Sequence, residues 1–67
     1  MVTLSLLASE VGVGQTLQDP ELGNGTVREV SIWNNGFVGI RVMFESGGAL
    51  RIFAQGTIVA VLTEFEP

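Results

Sequence analysis

Between Gly14 and Val27 the chain reads GQTLQDPELGNGTV, and this stretch restricts the fold more than any other. Gly23, Gly25 and Pro20 stand where a chain turns sharply and re-enters a sheet; Gly36, Gly47, Gly48 and Gly56 repeat that service further on. Proline cannot donate a ladder hydrogen bond, and glycine reaches backbone angles closed to other residues. Short strands separated by tight turns describe a small, strongly bent β-barrel.

The strand pattern follows from period-two alternation. Val38, Ile40, Val42 and Phe44 share one parity between Phe37 and Glu45, which assigns them to the core. Residues 26–33 form a strand in which neither parity is wholly apolar, so a bulge or bend is expected inside it. Asn34-Asn35-Gly36 joins these two strands, and Asn-Gly is the strongest short signal for a type I′ hairpin. A turn at Ser46-Gly47-Gly48 leads to a strand over 49–54, with Leu50 and Ile52 on one face and Arg51 and Phe53 on the other. A last strand covers 57–63.

The N-terminal end is ambiguous. Val2, Leu4 and Leu6 alternate like a strand, whereas Leu4, Leu7 and Val11 recur at helical spacing. Residues 1–13 therefore read as an opening strand or an arm. Residues 14–18 form the first barrel strand, Asp19-Pro20-Glu21 ends it, and Leu22 returns an apolar side chain to the core. Glu64-Phe65-Glu66-Pro67 reads as an acidic end, with its aromatic free to pack back or to stay out.

With 67 residues the expectation is a single all-β domain of five or six strands over residues 1–67. A domain of this size buries only about 60% of the surface its unfolded chain exposes. Cysteine and histidine are both absent, so neither disulfides nor the usual zinc ligands add to the core. The mean hydropathy of +0.47 is high for so small a domain. The surplus points to apolar side chains outside the barrel, hence to a protein partner or a homo-oligomer.

Charge and chemistry narrow the class further. Three arginines, no lysine and seven carboxylates give a net charge of −4, which argues against nucleic acid as a partner. No apolar run approaches the ~20 residues of a membrane span, and the N-terminus lacks the basic region of a signal peptide. A cytoplasmic location is the default expectation. Without His, Cys, Lys or Tyr, acid–base and nucleophilic chemistry would fall to Asp and Glu alone. The nearest pairs, Asp19 with Glu21 and Glu64 with Glu66, read as solvated turn and tail residues. No enzyme, cofactor or metal site is expected.

The best recognition set is aromatic and cationic. Trp33 stands beside the Asn34-Asn35-Gly36 tip, where it is either presented to a partner or plugs a barrel mouth. Phe37 and Met43 share the parity opposite the core. Arg41 and Arg51 also lie opposite the predicted core, which would set them side by side on paired strands. The expected partner-binding patch is Trp33, Phe37, Arg41, Met43, Arg51 and Phe53, since Trp and Arg dominate interaction hot spots.

Residues 14–27 also resemble the G-D-x-V-x-H-P-x-F-G-x-G-x-V opening of Tudor-like, SH3-type barrels. These occur at the C-terminus of UvrD/PcrA-type helicases and in CarD-type transcription factors. Gly14, Leu17, Pro20, Leu22, Gly23, Gly25 and Val27 match; Asp19 replaces the usual histidine and Leu22 the aromatic. Val42 to Gly48 resembles the family's V-x-F-D-x-G-G hairpin, and Leu50-Arg51-Ile52 the strand after it. The resemblance implies an SH3/Tudor-like barrel that docks on RNA polymerase or a repair protein without catalysis. A second likeness implies a different role. Gly25, Val27, Asn35 and Gln55 to Val59 resemble the two Sm signature segments, with Ser31 where aspartate is usual. Sm-like barrels form rings and bind RNA. Small phage-encoded SH3-like proteins share the same strand and glycine-turn form, so the alternative is a homo-oligomeric accessory protein that binds nucleic acid or a small ligand between subunits.

Overall fold

The computed structural model describes residues 2–63. They form six antiparallel strands of one sheet: β1 (Val2–Leu7), β2 (Thr16–Asp19), β3 (Gly23–Ile32), β4 (Phe37–Phe44), β5 (Gly47–Ala54) and β6 (Ile58–Thr63). The order across the sheet is β1-β6-β2-β3-β4-β5. The all-β expectation holds. The sheet curls strongly about its core but is not closed into a barrel, because no ladder joins the outermost strands β1 and β5 among the described residues. The acidic end at 64–67 lies outside them.

The interior is built by alternation. Val38, Ile40, Val42 and Phe44 are all buried, as the period of β4 requires. Leu17, Val27, Val59 and Val61 complete the wall from β2, β3 and β6. The N-terminal ambiguity resolves as a strand followed by a 3-10 turn over Ala8–Glu10. That turn is tied down twice: the Ala8 N–H donates to the Thr57 carbonyl at 2.8 Å, and the Leu7 N–H donates to Glu10 Oε1 at 2.9 Å. Ala8 is fully buried.

The expected irregularity in β3 is a bulge at Arg28. Val27 pairs with Val42 and Glu29 with Arg41, leaving Arg28 unopposed. The extra residue explains the mixed parity of the sequence: Gly25 and Val27 face inward before it, and Val30 faces inward after it. A side chain at Gly25 would collide with Val42 and Phe44, so only glycine lets β3 and the core approach this closely.

Three local expectations are corrected. Leu22 does not return to the core; it is exposed in the turn after Pro20. The β3–β4 hairpin is not type I′, because that turn needs positive φ at both central residues and no residue other than glycine has it. Instead the Gly36 N–H donates to the Trp33 carbonyl and the Trp33 N–H to the Phe37 carbonyl, with Gly36 alone at φ +87°. This is a three-residue loop in which glycine takes the left-handed position. Finally, the β4–β5 turn is Glu45-Ser46, with Phe44 opposite Gly47. That register turns Ala49, Arg51 and Phe53 toward the core side and leaves Leu50 and Ile52 outside.

Candidate functional site

The register of β5 divides the expected patch between two surfaces. Arg41 stands opposite Leu50, and Arg51 opposite Ile40, a core residue. The two arginines therefore occupy opposite faces and are not side by side. Phe53, opposite Val38, is half-buried against the core cluster.

The outer face keeps four of the six expected residues. Phe37, Arg41 and Met43 alternate along β4 with Gly39, and Trp33 folds over Gly39 from the neighbouring hairpin. A side chain at Gly39 would strike the indole, so the ring lies in the groove that the missing Cβ leaves. Trp33 is thus half-buried on the outside of the sheet and does not plug its mouth. Its carbonyl accepts a 3.2 Å hydrogen bond from Gln55 Nε2, which fixes the hairpin to the β5–β6 turn. Leu50 and Ile52, absent from the expected set, extend this surface.

Exposure on this face is substantial: Phe37 43%, Met43 48%, Leu50 44% and Ile52 53%. Beside them Arg41 Nε lies 3.3 Å from Glu29 Oε1, its direct cross-strand neighbour. Both side chains are well exposed, so the pair adds little stability; opposite Leu50 and between Phe37 and Met43 along β4, Arg41 sets a charge within this face.

The inner surface holds a different arrangement. Asp19, expected as a solvated turn residue, is buried with its side chain only 1% exposed. Its Oδ1 accepts the backbone N–H groups of Glu21 at 2.8 Å and Leu22 at 3.0 Å. Its Oδ2 meets Arg51 Nε at 2.8 Å. Burial pushes the Asp19 carboxyl up, but the two backbone donors and the Arg51 charge outweigh it and hold the group below its ordinary value of 3.8. The ion pair joins β2 to β5, which are not neighbours in the sheet, so it spans the open side of the curl.

Beside this pair a cleft of about 300 Å³ separates β5 from the β2–β6 ladder. Leu17, Pro20, Phe53, Ile58 and Val59 supply its apolar walls and Arg51 its cationic one. No group of three acidic, histidine or cysteine side chains that could hold a metal ion occurs among the described residues. No helix there is long and apolar enough to cross a membrane.

Sequence reasoning missed Leu50, Ile52 and Asp19 for identifiable reasons. A two-residue turn at Glu45-Ser46 would have set the parity of β5 correctly, because a slip of one residue reverses every side chain of a strand. For Asp19 the available signal was the Asp-Pro step, which marks a turn but not a partner 32 positions away.

In comparisons with known protein families, curated proteins and solved structures, nothing matches the chain.

Proposed function

We propose that this chain is a non-catalytic interaction module that docks a protein partner through the outer face of β3, β4 and β5. The observation that supports the reading is that Phe37, Met43, Leu50 and Ile52 are all exposed on one face, beside the Trp33 indole. Exposed aromatic and aliphatic side chains gathered on one face of a small domain often serve a partner. The composition of this face, aromatic and sulfur-bearing side chains with one arginine among them, resembles that of interaction surfaces. The absence of His, Cys, Lys and Tyr supports a non-catalytic role.

The resemblance of residues 14–27 to Tudor-like barrels selects the partner class. It points to transcription or repair machinery, with RNA polymerase as the first candidate. Trp33 is the sole tryptophan, so its emission reports binding directly when the partner is presented as isolated, tryptophan-free fragments. We expect saturable binding to an RNA-polymerase or repair-protein fragment, with a blue shift of Trp33 emission. Met43→Glu should weaken it at least tenfold while the fold is retained. No binding to any of these fragments, or equal binding by the Met43→Glu variant, would refute the reading.

A further inference from the structure

We propose that Asn35, in the hairpin loop between β3 and β4, is a self-modification site: its side-chain amide is displaced by the backbone nitrogen of Gly36, leaving an aspartyl or isoaspartyl residue. This goes beyond the docking role above and does not depend on it.

The step needs only water. The Gly36 nitrogen gives up its proton to solvent base and attacks Asn35 Cγ. The N–Cγ bond forms, the Cγ–Nδ2 bond breaks, and Nδ2 takes up a proton and leaves as ammonia. Water then opens the five-membered imide at either carbonyl, giving aspartate from one and isoaspartate from the other. Nothing is oxidised or reduced. Glycine hinders the attack least, because it has no Cβ beside the nitrogen.

Two Asn-Gly steps occur in the chain, Asn24-Gly25 and Asn35-Gly36, and the structure separates them. Gly25 is buried, paired with Leu17 on one side and Phe44 on the other, and a Cβ there would strike Val42 and Phe44. Turning the peptide after Asn24 toward its side chain therefore requires β3 to part from its neighbours. Asn35 and Gly36, by contrast, are exposed, and the space around Gly36 is open. The Gly36 N–H donates to the Trp33 carbonyl at 3.3 Å. That carbonyl also accepts Gln55 Nε2 at 3.2 Å, so it stays bonded when Gly36 lets go, and water meets the freed N–H. Asn35 Oδ1 accepts the Phe37 N–H at 3.3 Å, which draws electron density from Cγ, the atom under attack. Opening an exposed loop costs far less than parting paired strands. Asn34 is equally exposed, but the residue after it is Asn35, whose side chain crowds the attacking nitrogen. Either product adds one negative charge to a chain of net charge −4, in the loop that joins Trp33 to Phe37.

Incubation of the full chain in mildly alkaline buffer at body temperature tests this, followed by peptide mapping that distinguishes asparagine, aspartate and isoaspartate. Asn35 should convert roughly tenfold or more faster than Asn24, give both products, and react faster as pH rises. In urea the two sites should react at similar rates, since glycine follows both. Asn35→Gln should abolish the fast-forming acidic species on ion exchange. A lower ratio in the folded chain, aspartate as the sole product, or Asn35 left intact while the urea-unfolded chain converts, would overturn the proposal. The docking role stands or falls separately, on binding by freshly prepared, unconverted chain.

Discussion

Asp19 shows how much one side chain contributes when it is out of water and fully bonded. Its carboxylate satisfies two backbone N–H groups of the Pro20 turn and the Arg51 guanidinium together. Asp19→Asn removes the charge that makes these bonds strong and should cost about 1–3 kcal/mol, measured as a lower midpoint in urea. The pH dependence has a definite sign. A carboxyl held below its ordinary 3.8 in the folded state contributes stability that is complete above that value and is lost as pH falls through the folded one. The stability gap between the natural chain and Asp19→Asn should therefore be constant from pH 7 to 5 and shrink below about 4. None of this was legible in the sequence, where aspartate before proline signals only a turn. Gly39 makes a second residue-scale test. Gly39→Ala should displace the indole above it, shift Trp33 emission to the red and cost about 1–3 kcal/mol through overpacking.

Among the strands, legibility depended on how each one is anchored. The alternation of β4 was readable because all four inward residues are large and apolar, and Val38, Ile40, Val42 and Phe44 are indeed the centre of the core. In β5 both parities carry apolar residues, Leu50 and Ile52 against Ala49 and Phe53, so periodicity alone could not orient it. The turn decided the matter. Glu45-Ser46 fixes Phe44 opposite Gly47, and each later side chain follows from that pair. This register has an energetic signature: Phe53→Ala should destabilise by about 2 kcal/mol, since half a buried aromatic is lost. Ile52→Thr should stay within about 0.5 kcal/mol. Thermal unfolding of the two variants checks the order; the reverse order would mean that β5 faces the other way.

At the scale of the whole molecule, the outline of short strands and glycine turns could be read from the chain, whereas the sheet order could not. The order β1-β6-β2-β3-β4-β5 depends on contacts between residues far apart in sequence, and no local pattern records them. The curl is held across its open side by the Asp19–Arg51 pair, and Gln55 pins the neighbouring turn by donating its backbone N–H to the Gly36 carbonyl at 3.0 Å. Bending of the sheet brings these groups within reach, and the Arg28 bulge is one place where such bending is built in. Deletion of Arg28 would leave Val27 inward, Glu29 outward and Val30 inward, with every cross-strand partner unchanged. It is a residue whose loss spares the pattern and alters only the shape. The deletion variant should fold with a flatter sheet and a weaker grip of Arg51 on Asp19, seen as a smaller stability loss when Asp19→Asn is added to it. Curvature in this protein is thus set in part by arithmetic, by one amino acid more on one strand than on its neighbour, and a chain can gain or shed it without changing which residues of β3 and β4 face one another.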